Sequence, residues 1–242
     1  MSGFAARYDA LMTQPWVNAL YEGSAFFNTG YWRDGITSQR DACESLIDEI
    51  VRPLAAPAAL LDVGCGFGAT TRALRERFPG ADITAVNISE RQIDVCRRNV
   101  DGVRFEIMDA TALRFDDGQF DAVVSVEAAF HFQTREDFFR EAARVLRPGG
   151  ILAVSDMLYR DVDSVGAWMV PPENRITTLA SYCDALTRAG FDDLVVRDET
   201  AACWSAYCRN LRRWNVGPPE FLDRIEAGVA RYVIASATKR SA

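Results

Sequence analysis

The stretch ALLDVGCGFGATTRAL, residues 59–74, decides the architecture of this chain. A short apolar run leads into a carboxylate and three glycines at alternate positions, and a helix-forming segment follows at once. Glycines let a backbone turn sharply and approach a ligand, while the first turn of a helix presents unpaired N–H groups and a partial positive charge. The stretch therefore predicts a strand, a tight turn and a helix that together bind a polar or anionic group.

Apolar strands and helical segments alternate along the chain from residue 60 onward. This alternation is typical of an α/β fold with a doubly wound, mostly parallel sheet, here of seven strands. The predicted strands are 59–65, 81–88, 103–110, 120–128, 150–158, 192–200 and 232–239, and the predicted helices are 69–78, 90–99, 135–146 and 178–190. We expect residues 1–55 to form an N-terminal helical and aromatic lid on a single domain, 56–242, with a substrate-covering insertion near 157–175.

Composition excludes several classes of function. A net charge of −7 opposes broad attraction to nucleic acid or anionic lipid, and no apolar run reaches the length of a membrane span. The first residues lack the layout of a secretory signal, so we expect a cytoplasmic protein. The six cysteines show no C-x-x-C pair and no neighbouring histidine, and no metal site is indicated. The expected partner is a small molecule; the oligomeric state stays open, a homodimer included.

The glycine turn by itself is compatible with two classes of cofactor. Gly64, Gly66 and Ala69 satisfy the loose dinucleotide fingerprint G-x-G-x-x-G/A. That fingerprint also requires an acidic residue at the end of the second strand, where this chain has Asn87. A nicotinamide-dependent oxidoreductase is therefore the weaker of the two alternatives.

Four ordered motifs carry a family resemblance over roughly residues 58–160. They are DVGCGFG (62–68), NISERQI (87–93), MDA (108–110) and ARVLRPGG (143–150). Together they resemble the class I S-adenosylmethionine-dependent methyltransferases. With FFNTGYW (26–32) and the terminal SATK (236–239), the chain is similar to small-molecule methyltransferases that act on natural products and sugars.

The resemblance implies S-adenosylmethionine as the cofactor and assigns residues to it. The glycine loop would hold the aminocarboxypropyl arm, with Asp62 reaching its ammonium, and Asp109 would accept from the adenine amino group. Asn87 replaces the usual acidic ribose ligand, and Gln92 of the S-x-x-Q segment would assist it. The full cofactor-binding set is Asp62, Gly64, Gly66, Gly68, Asn87, Ile88, Gln92, Asp109, Ala110 and Glu127.

His131 is the only histidine of the chain and follows the fourth predicted strand, in VEAAFHF (126–132). A lone histidine between two phenylalanines is commonly a packed ring. However, ligands of open α/β sheets bind at the carboxyl ends of strands, and the ordinary pKa of histidine, about 6.5, suits a general base. The resemblance adds Asp156 as a second catalytic residue that would orient the imidazole or contact the acceptor.

Aromatic side chains are dense in the weakly patterned segments and predict a cover for the active site. They are Trp16, Tyr21, Phe26, Phe27, Tyr31, Trp32, Trp168, Trp204, Tyr207 and Trp214. The sequence thus predicts methyl transfer to an oxygen of a small metabolite in specialised metabolism, with nitrogen as the second choice. The alternatives are the oxidoreductase and a non-catalytic protein that binds S-adenosylmethionine.

Overall fold

A computed structural model describes residues 3–164, 166 and 169–241. Within these residues, seven strands form one sheet, which confirms the predicted fold class. The strands are β1 (Ala59–Val63), β2 (Asp82–Asn87), β3 (Val103–Ile107), β4 (Phe120–Val126), β5 (Leu146–Tyr159), β6 (Phe191–Asp198) and β7 (Val229–Lys239).

The strand order in the sheet is β3-β2-β1-β4-β5-β7-β6. Strands β1 to β5 pair in parallel, whereas β7 is antiparallel to both of its neighbours, β5 and β6. The order reverses between β1 and β4, so the chain leaves the carboxyl ends of these two strands in opposite directions. Such a switch point opens a crevice for a ligand.

Helices pack on both faces of the sheet. They are α1 (Gly3–Met12), α2 (Pro15–Leu20), α3 (Gln39–Val51), α4 (Ala69–Arg77), α5 (Glu90–Asn99), α6 (Arg135–Val145), α7 (Leu179–Ala189), α8 (Ala206–Arg213) and α9 (Pro219–Gly228). One buried cluster joins α3, α4, α8 and α9 to the sheet, and a second joins α6 and α7 to its other face. Helix α3 belongs to the first cluster and therefore to the core. Of the predicted lid, residues 1–55, only residues before α3 lie over the cavity.

Helix starts follow capping signals that are visible in the sequence. Ser89 and Thr178 accept hydrogen bonds from backbone N–H groups of the first turns of α5 and α7. Thr134 and Asp137 form a reciprocal capping box at the start of α6. These bonds satisfy N–H groups that a helix start otherwise leaves unpaired.

The structure adds elements in segments where the sequence pattern predicts none. A π-helical turn at Ala201–Ser205 leads into α8, α9 follows it, and 3₁₀ turns occur at Val162–Ser164 and Pro172–Asn174. Strand β5 begins before the predicted strand, because Leu146 pairs with Phe120 ahead of an irregularity in the register. Among the described residues, no helix has the length and apolar character needed to cross a membrane.

Candidate active site

A cavity of about 560 Å³ lies at the carboxyl ends of β1, β2 and β4. Helix α1 and the segments 25–28 and 171–173 form its outer wall. Nine of the residues predicted for the site line this cavity: Gly64, Gly66, Asn87, Ile88, Gln92, Asp109, Ala110, Glu127 and His131. Asp62, Gly68 and Asp156 are outside its wall as described.

The glycine loop has a backbone that only glycine fits at two positions. Gly64 has a φ of +84°, and a Cβ added to it would lie 2.6 Å from the Cβ of Ala128. Gly68 caps α4 with a φ of +88°, and its added Cβ would lie 3.0 Å from Sγ of Cys96. Gly64 and Gly66 therefore line the cavity, whereas Gly68 packs against Cys96 and permits the turn of the loop into α4.

Asp62 is buried beneath this loop with one carboxylate oxygen unpaired. Its Oδ2 accepts a hydrogen bond of 2.6 Å from Oγ1 of Thr71, while Oδ1 has no partner among the described residues. Burial raises the pKa of Asp62 to about 7, against the lowering effect of the Thr71 bond. An orphaned buried oxygen of this kind calls for a hydrogen-bond donor.

Side-chain amides form the part of the cavity wall that follows β2. Nδ2 of Asn87 donates to Oε1 of Gln92 at 2.8 Å, and Nε2 of Gln92 donates to Oδ1 of Asp9 at 2.6 Å. Oγ of Ser89 also donates to Asp9, at 2.9 Å. Asp9 belongs to α1 and is 8% exposed. The end of β2 has no carboxylate, but Asp9 of the N-terminal helix α1 places one next to it. This carboxylate is hydrogen-bonded to Gln92 of the cavity wall and is not itself part of the wall.

Asp109 is exposed at the rim of the cavity. Its Oδ1 accepts hydrogen bonds of 2.8 Å from both N and Oγ1 of Thr111. This local turn fixes the carboxylate beside Ala110.

Glu127 fastens an N-terminal segment to the sheet. Its Oε1 accepts from N and Oγ1 of Thr29, at 2.8 Å each, and from the hydroxyl of Tyr232 on β7, at 2.7 Å. Burial raises the pKa of Glu127 to about 7, although these three donors oppose the shift. The sequence resemblance assigned Glu127 to the cofactor, and the structure shows that it also holds the segment that contains Thr29.

His131 ends a 3₁₀ turn, Ala129–His131, directly after β4. Its Nδ1 lies 2.6 Å from the backbone oxygen of Met169, and because a carbonyl only accepts, Nδ1 carries the proton. Nε2 is therefore the unprotonated nitrogen, and it is buried without a partner among the described residues. Burial lowers the pKa of His131 to about 4, so the ring is neutral at pH 7.

Asn174 braces the backbone on either side of His131. Its Nδ2 donates to the carbonyl oxygens of Phe130 and Phe132, at 3.0 and 2.7 Å, and its Oδ1 accepts from N of Arg135 at 2.8 Å. The side chain is 1% exposed. Nothing in the sequence singled out Asn174, because its partners lie about forty residues away along the chain.

The structure places Asp156 elsewhere than the sequence resemblance implied. Its carboxylate is fully buried, accepts from Nε of Arg135 at 2.7 Å and from the hydroxyl of Tyr182 at 3.2 Å, and is not part of the cavity wall. The reason is electrostatic: the buried guanidinium of Arg135 requires a counter-charge. Arg135 also donates to the backbone oxygen of Asn174 at 2.6 Å, so Asp156 supports the His131 segment only through intermediaries.

Aromatic rings surround the imidazole, but few of them are the expected ones. Tyr8 and Phe4 of α1 lie with ring centroids 5.0 and 5.4 Å from that of His131. Of the aromatic residues predicted to cover the site, Phe26 and Phe27 line the cavity. Tyr21, Trp204 and Tyr207 instead belong to or pack against the core, and Trp168 lies outside the described residues.

Comparison with known proteins connects this geometry to a family. Residues 61–154 match a family described as a methyltransferase domain. The chain is 31% identical over 209 residues to erythromycin 3''-O-methyltransferase from Saccharopolyspora erythraea, covering 76% of this chain and 68% of the relative. It is 36% identical over 243 residues to 27-O-demethylrifamycin SV methyltransferase from Amycolatopsis mediterranei, covering 91% and 85%.

Solved structures show the same fold at lower identity. Geranyl diphosphate C-methyltransferase from Streptomyces coelicolor A3(2) superposes with a TM-score of 0.80 at 17% identity, covering 98% of each chain. The [4+2]-cyclase SpnF superposes with a TM-score of 0.78 at 24% identity, covering 98% of this chain and 96% of its own. At such identities the likeness concerns the fold alone.

The chain belongs to the class I S-adenosylmethionine-dependent methyltransferases. It is a methyltransferase with S-adenosylmethionine as cofactor and small molecules as acceptors. The alternative prediction of a nicotinamide-dependent oxidoreductase is therefore wrong.

The residues present fit this cofactor. The unpaired Oδ1 of Asp62 offers an acceptor for an ammonium group behind the glycine loop. The start of α4 offers backbone N–H groups to a carboxylate, and Gly64 and Gly66 bring the loop backbone to the cavity without a side chain.

Proposed function

We propose that this protein transfers a methyl group to an oxygen of a small metabolite, with His131 as the general base. One observation carries the proposal: Nε2 of the only histidine is unprotonated and has no hydrogen-bond partner among the described residues, and the ring lines the cavity. The bond from Nδ1 to Met169 fixes the tautomer and the ring orientation.

The chemistry of the site follows from this arrangement. When bound, S-adenosylmethionine supplies an electrophilic methyl group on a positively charged sulfur. The acceptor hydroxyl would give its proton to Nε2 of His131 as its oxygen forms the new bond to the methyl carbon. The bond from that carbon to sulfur breaks at the same time, and its electron pair stays on sulfur in the neutral thioether S-adenosylhomocysteine. The low pKa keeps the ring ready to accept at pH 7 but weakens it as a base, so orientation of the acceptor supplies a large share of the rate enhancement.

The choice of oxygen rests on the relatives and on the base. Two relatives that the chain matches over two thirds or more of their length are named for methylation at oxygen or of an O-demethylated compound. A relative of 29% identity, sarcosine/dimethylglycine N-methyltransferase from Halorhodospira halochloris, keeps nitrogen as the second candidate acceptor. An alcohol must lose its proton during transfer, which gives the unpaired Nε2 a role.

The first experiment measures the rate of methyl transfer in His131→Ala against the parent protein. Acceptors are found by incubating the protein with S-adenosylmethionine and pools of hydroxylated or amine-bearing metabolites, with product mass as the readout. We expect His131→Ala to lower kcat roughly 10²–10⁴-fold with unchanged affinity for S-adenosylhomocysteine. Tyr8→Phe, which keeps the neighbouring ring, is the matched control and should stay within a few fold.

Two results would contradict the proposal. A His131→Ala rate equal to that of the parent would leave orientation as the whole mechanism. Tight binding of S-adenosylhomocysteine without methylation of any pool would favour a non-catalytic cofactor-binding protein.

The proposal also gives a covering role to α1 and to the segment 169–173. Residues of α1 and residues 171–173 line the cavity, and the backbone oxygen of Met169 contacts Nδ1 of His131. Limited proteolysis tests this role: cleavage in these segments should slow when S-adenosylhomocysteine and an acceptor are both present. Equal cleavage rates with and without the ligands would contradict it.

A further inference from the structure

The wall of the cavity carries acidic side chains but no basic ones. Asp109, Glu127 and Glu173 belong to it, and among the described residues that line it there is no lysine or arginine. The neighbouring positions 165, 167 and 168, which the structure does not describe, are valine, alanine and tryptophan in the sequence. The same wall contains the aromatic or apolar residues Phe4, Tyr8, Phe26, Phe27, Phe132 and Pro172, together with the uncharged polar residues Asn28 and Gln133.

Arg135, which is close enough to His131 to affect its pKa, has its hydrogen-bond donors occupied by other partners. Arg135 influences the pKa of His131 through its charge, yet it is 1% exposed. Its Nε and one terminal nitrogen bond to Asp156, and its terminal nitrogens also donate to the backbone oxygens of Met157 and Asn174. Turning it toward the cavity would leave the buried Asp156 carboxylate without its counter-charge, which is costly.

We propose that the cavity selects against anionic acceptors and takes an acceptor whose enclosed part is neutral or cationic. This inference rests on the proposed function, since it assumes that the acceptor meets the wall around His131. A carboxylate or phosphate that enters gives up its water without gaining a cationic partner, and it meets a like charge at Glu173. A neutral ring or an ammonium group instead meets aromatic faces, which favour both.

The carboxylate of the cofactor does not contradict this selection. The start of α4 and the glycine loop, on the β1 side of the cavity, present backbone N–H groups and the positive end of a helix. Such N–H groups bind an anion without any basic side chain. They are bound to the cofactor during turnover, so an acceptor does not have access to them.

The test uses the protein saturated with S-adenosylhomocysteine and matched triads of phenols. One triad is 4-(2-hydroxyethyl)phenol, tyramine and 4-hydroxyphenylacetate, which differ in the charge of one substituent; larger triads extend the series. Calorimetric titration at constant ionic strength gives each dissociation constant. We expect the anionic member to bind at least tenfold more weakly than the neutral member. Equal or tighter binding of the anionic members would overturn the proposal.

A charge reversal at the rim provides the second measurement. Glu173 is exposed, so Glu173→Lys changes the charge of the wall without burying a cation. We expect this variant to narrow the ratio of anionic to neutral dissociation constants at least threefold. Asp101→Lys, an equal change at an exposed residue outside the cavity wall, should leave the ratio unchanged. An unchanged ratio in Glu173→Lys would count against selection by the wall.

The two proposals fail separately. Acceptor binding is measured in the complex with S-adenosylhomocysteine and does not depend on methyl transfer. If the affinities follow the predicted order but no methyl transfer occurs, charge selection stands and the proposed reaction is wrong. Efficient methylation of an anionic acceptor would retain the reaction and remove charge selection.

Discussion

Replacement of Asp156 by alanine separates a structural role from a catalytic one. The carboxylate is fully buried and is paired with Arg135, whose own side chain is 1% exposed. Removing one partner of a buried ion pair leaves the other charge uncompensated and costs about 3–5 kcal/mol. For a chain of this size each kcal/mol lowers Tm by about 2–4 °C, so we expect a fall in Tm of about 6–20 °C.

The activity of Asp156→Ala should change far less than its stability. Because the carboxylate is not part of the cavity wall, we expect kcat to stay within about tenfold of the parent value at a temperature where the variant is folded. Urea unfolding followed by circular dichroism gives the loss of stability, and initial rates at 15 °C give kcat. A variant with the Tm of the parent and a rate reduced a hundredfold or more would refute this reasoning and return Asp156 to the reacting groups.

A double-variant cycle shows that the stability loss comes from the pair. Asp156→Leu combined with Arg135→Met removes both charges, and we expect the double variant to lose less stability than the sum of the single variants. The rescue should be incomplete, because Arg135 also donates to the backbone oxygens of Met157 and Asn174. Additive losses would show that the two side chains do not interact.

Three further predictions concern ionisation and cofactor affinity. Because burial lowers the pKa of His131 to about 4, the acid limb of kcat/KM that depends on this residue should lie near pH 4 and not near 6.5; a limb at 6.5 would show that the ring is solvated. The pKa of Glu127 is raised from 4.5 to about 7, so the stability that this residue contributes should be lost as the pH rises from about 4.5 to 7. The stability of the parent protein relative to Glu127→Gln should therefore fall over this range in urea titrations at several pH values. Asp9→Asn should weaken binding of S-adenosylhomocysteine on the order of tenfold in calorimetry because it loosens Gln92, whereas Asp94→Asn on the exposed face of α5 should not; equal affinities would show that Gln92 needs no anchor.

The sheet could be predicted from the sequence because its signals are local. The strand, glycine turn and helix around Gly64 are contiguous, and α5 occupies the predicted range because Ser89 caps it and its apolar residues recur on one face. Residues 201–228 carry helices that the sequence pattern did not predict. There the chain packs several of its apolar residues against a core assembled from distant segments, so its fold depends on tertiary contacts.

The sequence predicts residues of the cavity wall best where they lie at or just after the end of a strand. His131 and Asn87 are of this kind, since the end of a parallel strand determines where their side chains lie. Asp9 and Asn174 act through partners about forty or more residues away, and no spacing in the sequence records such a pairing. Asp156 occupies the predicted strand end, but the buried guanidinium of Arg135 attracts its carboxylate away from the cavity.

Consecutive residues of helix α1 contact two different residues of the cavity wall. Asp9 is bonded to Gln92 on the cofactor side, and the ring of Tyr8 packs against His131 on the acceptor side. Because one helix supports both residues, we expect the first ligand to bind to stabilise the part of the wall that the second ligand meets. By thermodynamic reciprocity the acceptor must tighten the cofactor by the same factor as the cofactor tightens the acceptor. We expect release of the two products to be coupled in the same way.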